Sequence, residues 1–165
     1  MTVTTRVELP EDAPATRRVH MAAFPGPDEA DLVDALRRDP AWLPALSVVA
    51  VEEGGLVVGH ALLTRLQVGD GWALALAPVA VAPEWQRKGV GRQLVLAALA
   101  AAAEADERLV VVVGDQRYYT RFGFTPAFER GITADFPPEH VHALALVEGE
   151  LPQGHCRYPE PFGAV

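Results

Sequence analysis

In the run WALALAPVAV, residues 72–81, the large apolar side chains sit at the even positions Trp72, Leu74 and Leu76, then at the odd positions Val79 and Val81. Strand side chains alternate faces with a period of two, so one apolar face survives this switch only if an extra residue is inserted near Ala77-Pro78, a β-bulge. Pro78 suits that place because it offers no N–H to a ladder. A plain strand of mixed burial is the alternative. A bulge predicts a strand that bends away from one neighbour beyond residue 78 and leaves backbone groups of Val79 and Val81 unpaired. Such groups need a partner. A ligand carrying amides of its own, lying alongside as a pseudo-strand, would supply one.

The residues that follow favour a ligand. Gln86-Arg87-Lys88-Gly89-Val90-Gly91 stands directly ahead of a helix predicted from Gly91 to about Ala103, with Leu94, Val95 and Leu99 facing a sheet. Glycines permit close backbone approach. N–H groups gathered at the positive end of a helix dipole suit an anion such as a pyrophosphate. The P-loop pattern GxxxxGK[ST] is missing, and Leu94 stands where a dinucleotide fingerprint needs its third glycine. Lys88, the only lysine, reads equally well as a solvated loop charge.

Around this core the pattern alternates strand and helix. Residues 3–9 read as a strand. A helix bearing Val19, Ala22 and Ala23 ends near Phe24-Pro25-Gly26, and a second helix, capped by Asp28, turns Leu32, Val33 and Leu36 inward. SVVAVE, the EEGG turn and LVVGHALLTRLQV form a hairpin, and Gly69-Asp70-Gly71 leads into the 72–81 strand. LVVVV, 109–113, suits a strand buried on both faces. QRYYTRF is a short helical segment, 125–139 a long proline-bearing loop, and VHALALVEG and HCRYP two closing strands.

Composition closes off other classes. A chain of 165 residues without repeats or linkers is expected to be one domain, 1–165. Its net charge of −8 is no footprint for nucleic acid. Cys156 is alone, so no intrachain disulfide forms, and no metal-ligand spacing accompanies it. MTVTTRVELPEDA has no apolar signal segment, and no apolar run reaches the ~18 residues of a membrane span. A soluble, cytoplasmic chain with no membrane partner is expected.

With its Q/R-x-x-G-x-G/A loop after a bulged strand, and GDQRYYTRFGFTPA further on, the chain resembles the GNAT superfamily of N-acetyltransferases over nearly its whole length. The run G-D-x-x-Y-Y-x-R-F-G-F is closest to the YhbS-like branch of bacterial acetyltransferases. The resemblance implies an α+β (α/β) GNAT fold: a mixed, mostly antiparallel sheet of about seven strands, its bulged fourth strand splayed from a parallel fifth, flanked by about four helices. It implies acetyl-CoA as acyl donor and no metal. The donor would lie between the bulged strand and LVVVV, along Val79, Ala80 and Val81. Its pyrophosphate would rest on the N–H groups of Arg87, Lys88, Gly89, Val90 and Gly91, with Gln86 and Arg92 flanking and Tyr118 and Phe122 lining the channel. Asp115 occupies a cofactor-contacting position where many members carry an asparagine. Late strands in this superfamily often pair between subunits, so a homodimer is an open option.

The implied chemistry is direct attack by a primary amine on the thioester. It needs a neutral amine, a seat for the oxyanion and a proton for the departing thiolate. A backbone N–H near Val79 would hold the oxygen. Tyr119, five residues before Phe124, matches the family's general acid, since a phenol of pKa ~10 stays protonated beside a thiol of ~8.5; packing on the channel is its bland reading. No base stands out: Glu52, Glu53, Glu84 and Asp28 are surface carboxylates, and His20, His60, His140, His142 and His155 look scattered and structural. Phe24, Pro25 and Asp28 are expected to edge the acceptor pocket. A non-catalytic acyl-CoA sensor and transfer of a longer acyl group are the alternatives.

Overall fold

The computed structural model describes residues 2–163. A strand β1 (Val3–Val7) is followed by helices α1 (Ala13–Ala23) and α2 (Asp28–Arg37), then by three long strands, β2 (Trp42–Glu52), β3 (Val57–Val68) and β4 (Gly71–Val81). Helix α3 (Val90–Glu104) leads to β5 (Leu109–Val113) and the short helix α4 (Gln116–Thr120). Then come β6 (Thr125–Pro126), β7 (Ile132–Thr133), β8 (Val141–Ala145), β9 (Gly154–Arg157) and a closing turn of helix, α5 (Glu160–Gly163).

The sheet runs in the order β1-β2-β3-β4-β5-β8-β6, with β9 joining β3 and β7 off the main path. Its pairs are antiparallel except β4–β5 and β7–β9. Nine strands stand among the described residues where about seven were expected. The excess is β6 and β7, two residues each and therefore too short to show a period of two; they lie in the stretch 125–139 read as loop.

Alternation divides the sheet into two faces. Val48, Ala50 and Val58 pack under α3 with Leu94, Val95, Ala98 and Leu99, whereas Val49, Val57 and Ala80 pack under α1. Leu62 meets Leu32, Val33 and Leu36 of α2, the inner stripe expected from the sequence. Helix α3 presses closely on the sheet: a Cβ at Gly59 would stand 2.7 Å from the Leu94 side chain. Burial of such side chains stabilises the fold by roughly 1.5–3 kcal/mol each. Asp28 is the first helical residue of α2 and not its cap. Pro27 holds the cap position, and Asp28, Glu29 and Asp31 set their charge against the dipole of the first turn.

Candidate active site

The parity switch in β4 is a bulge. Ala61 of β3 stands opposite Val79, yet Leu63 stands opposite Leu76, so β4 spends one residue more than its partner across Ala77-Pro78. The pairing with β3 resumes and continues to Gly59 and Val81. On its other side β4 lets go. It pairs with β5 only at Leu74–Val110 and Ala75–Val111, and the residues beyond are free of that strand. The two strands therefore form a wedge that opens toward the end of β4.

The wedge is lined by backbone. Bonded and non-bonded pairs alternate along an antiparallel ladder, and the Ala82 N–H donates to the Val58 carbonyl at 2.8 Å. With Gly59 opposite Val81, the bonded pairs are Val58–Ala82 and His60–Ala80. Val79 and Val81 fall between them, so their N–H and C=O groups turn away from β3 and into the opening. One of these groups has a partner already: the Gln86 side-chain amide donates to the Val81 carbonyl at 2.9 Å. Gln86 thus folds back on the strand end.

At the mouth stands the QRKGVG loop. Arg87 and Gly89 both take left-handed backbone conformations, with φ of 62° and 82°. Gly89 occupies the cap of α3 and has no side chain to satisfy the first helical N–H groups, so those of Val90, Gly91 and Arg92 stay open for an anion. Lys88 lays its ammonium over the Trp85 ring at 5.4 Å, and Arg92 is exposed.

Helix α4 forms the far lip. Asp115 accepts a hydrogen bond from the Arg117 N–H at 2.8 Å and caps α4. The Tyr118 hydroxyl lies against Gly91, where a Cβ would be 3.1 Å away. Tyr119 packs on Gly114, where a Cβ would fall 2.6 Å from its ring, and on Phe124 and His142. Tyr118, Tyr119 and Phe122 form one aromatic group, with ring centroids of Tyr118 and Phe122 5.4 Å apart. Burial, with a smaller push from Tyr118, raises the Tyr119 phenol to about 12, so it holds its proton firmly.

On the opposite face, Phe24 is half-buried against the group that contains Ala80 and stacks on His20 at 6.1 Å. Pro25 and Asp28 are exposed at the α1–α2 turn. Of the acceptor-side residues expected from the sequence, only Phe24 is thus packed beside the splayed strand.

Beneath Phe24 lies a buried polar network that the sequence reading missed. Glu8 takes two donors on each carboxylate oxygen: Arg37 at 2.9 Å and Ser47 at 2.7 Å on Oε1, Arg37 at 2.6 Å and Thr16 at 2.5 Å on Oε2. Ser47 Oγ lies 2.8 Å from His60 Nε2, and His60 Nδ1 lies 2.9 Å from His20 Nε2. Glu8, Ser47, His20 and His60 are all buried. His20 and His60 are therefore neighbours, not scattered residues, joined across forty positions of sequence. Burial depresses both rings, His20 to about 4 and His60 to about 3, so both are neutral at pH 7. The signal available in the sequence was polar residues set inside apolar runs, His60 in LVVGHALL and Ser47 before VVAV. By contrast, Glu52 accepts the Leu56 N–H within its own turn and Glu84 is exposed.

Among the described residues no group of His, Cys, Asp or Glu has the arrangement of a metal site, and no helix is long and apolar enough to cross a membrane.

Known proteins share this architecture. The pattern of the Acetyltransferase (GNAT) family matches residues 13–124. The uncharacterized N-acetyltransferase YjhQ of Escherichia coli K12 is 37% identical over 167 residues, covering 93% of this chain and 92% of its own length. The uncharacterized N-acetyltransferase YhbS of the same strain is 34% identical over 146 residues, covering 85% and 86%. The crystal structure of Escherichia coli YhbS in complex with CoA superposes with a TM-score of 0.90 at 29% identity, over 98% of this chain and 92% of that one. A GNAT acetyltransferase from Brucella melitensis in complex with acetyl-CoA gives 0.81 at 32% identity, over 98% of both chains.

Proposed function

The chain belongs to the acetyltransferase (GNAT) family, and from that premise we propose that it binds acetyl-CoA in the wedge between β4 and β5 and passes the acetyl group to a primary amine. The observation that carries this reading is the row of backbone groups at Val79 and Val81 turned into an opening between two strands. A pantetheine arm has amides at a spacing that can complete such a ladder. The open N–H groups at the start of α3 suit its pyrophosphate. That YhbS and the Brucella enzyme were crystallised with CoA and acetyl-CoA supports the same ligand here. Residues 1–165 act as one catalytic domain in the cytoplasm.

In this reading the Val79 N–H holds the thioester oxygen as charge develops on it. Tyr118 and Phe122 line the arm, and Ala80 backs the acetyl group from the α1 face. Tyr119 stands at the sulfur. A phenol raised to about 12 is a poor source of protons, so it donates a hydrogen bond to the departing thiolate and hands on a proton released by the attacking nitrogen. Phe24, Pro25 and Asp28 border the acceptor.

Calorimetry with acetyl-CoA, followed by CoA release across a panel of primary amines, tests the proposal. Binding with amine-dependent CoA release supports it. Binding without release above hydrolysis favours an acyl-CoA sensor, and absence of binding rejects the wedge as the donor site.

A further inference from the structure

At the end of β4 opposite the wedge, the sheet carries a second opening. Residues directly opposite each other in neighbouring antiparallel strands share a face. Trp72 of β4 stands opposite Gln67 of β3, and Gln67 stands opposite Arg157 of β9, so the three form a row on one face. Arg65, two residues before Gln67, stands opposite Leu74, which packs in the group under α3. The row is therefore on the α3 face. Helix α3 ends at Glu104, and Arg65 meets both carboxylate oxygens of Glu107 beyond that end, at 2.7 and 2.9 Å. The row thus lies where the helix has stopped covering the sheet. It floors a cavity of about 330 Å³, walled by residues 39–41 and by Tyr158.

The groups in the row complement one kind of ligand. Trp72 leaves 60% of its surface exposed, whereas Leu74, the next residue on that face, is fully buried. The indole has apolar area to cover. Arg65 spends its guanidinium on Glu107, but Arg157 forms no ion pair among the described residues. Gln67, half-buried between Trp72 and Arg157, brings an amide that both donates and accepts. With strands about 4.8 Å apart, the backbones at Trp72 and Arg157 stand roughly 10 Å from each other. One ring stacked on the indole fills that width and sets a substituent at the guanidinium. A bare inorganic anion would leave the indole uncovered, and an uncharged ring would leave the cation without a partner.

We propose that this cavity binds a small aromatic carboxylate, its ring on Trp72 and its carboxylate on Arg157 and the Gln67 amide. Guanidinium and carboxylate are planar and pair by two parallel hydrogen bonds, which fixes the direction of the ring. Asp39, the one carboxylate among the lining residues, accepts the Ala41 N–H at 2.9 Å and opposes a second negative group on the ligand. The site is separate from the wedge and goes beyond the transferase reading.

Benzoate is the probe, compared with benzamide, which keeps the ring without the charge, and acetate, which keeps the charge without the ring. Calorimetry is expected to give benzoate a Kd on the order of 0.1–1 mM, with each comparison compound at least about tenfold weaker. Arg157→Gln is expected to erase the preference for benzoate over benzamide, and Trp72→Ala the preference for benzoate over acetate. Thermal melts check that both variants stay folded. In proton–nitrogen correlation spectra the Trp72 indole N–H, identified by its loss in Trp72→Phe, is expected to move with benzoate while that of Trp85, beside the QRKGVG loop, stays. Equal affinity for benzoate and either comparison compound, or a preference over benzamide kept by Arg157→Gln, overturns the proposal. So does a Trp72 indole signal that does not move at about 10 mM benzoate, ten times the weakest Kd expected. Acetyl-CoA takes no part in these titrations, so their outcome is independent of the transferase reading.

Discussion

Tyr118 of α4 sets its hydroxyl against Gly91 of α3, so close that a methyl carbon on the glycine would stand 3.1 Å from the oxygen. This contact joins the two lips of the wedge. Gly91→Ala is expected to push them apart and weaken acetyl-CoA binding about tenfold, a loss of about 1.4 kcal/mol. Tyr118→Phe removes the oxygen, so the double variant is expected to recover part of the loss. A double-mutant cycle by calorimetry reads the coupling; strict additivity would show that the contact does not shape the site.

Gly89 tests the loop through backbone alone. Its φ of 82° is left-handed, and a Cβ there would meet nothing within 4 Å. Gly89→Ala is expected to cost about 1–2 kcal/mol from the unfavourable dihedral, and Gly89→Asn less, because asparagine tolerates that region better. Thermal melts rank the stabilities, and acetyl-CoA titration is expected to rank affinity in the same order. An alanine variant that binds as well as wild type would remove the turn from the anion site.

Tyr119→Phe is expected to lower kcat about 10²-fold at saturating substrates without altering acetyl-CoA affinity. Unchanged kcat excludes the hydroxyl from the chemistry. The folded phenol is held at about 12 against 10 in the unfolded chain. Stability from the protonated form is therefore complete below pH 10 and is lost as pH rises from there through about 12. An ultraviolet phenolate titration is expected to lag the free-tyrosine curve, since burial raises Tyr118 and Tyr158 too.

Acid reads the histidines. Both rings take protons at 6.5 when unfolded and resist them when folded, down to about 4 for His20 and about 3 for His60. The unfolded state binds more protons in that window, so stability falls as pH drops below 6.5. His60→Gln is expected to flatten the decline between pH 6.5 and 4 in melts followed by circular dichroism. The carboxylate of Glu8, held below its usual range mainly by Arg37 against the cost of burial, adds its loss at lower pH. An unchanged slope in His60→Gln would place the acid sensitivity elsewhere.

The site was legible where function leaves a mark within a few residues. The period of strand side chains exposed the bulge at Ala77-Pro78, and two glycines ahead of an apolar helix exposed the loop. Partners that depend on distant chain were hidden. His20 and His60 look like isolated polar residues until α1 is laid across β3. Gln86 reads as a flank of the pyrophosphate until Val81 presents its carbonyl to the side-chain amide. Asp28 matches a cap by residue type, yet Pro27, whose ring fixes φ, takes that position. β6 and β7 are set by the strands they join, β8 and β9, and not by their own residues.

Because β4 stays bonded to β3 while releasing β5, the berth proposed for the donor is written in main chain, which every residue supplies alike. Substitutions on the α1 side can then retune which nucleophile is admitted while the grip on the thioester arm persists. Such a division lets one scaffold change its clientele by altering a few side chains, with no need to reinvent its fuel line.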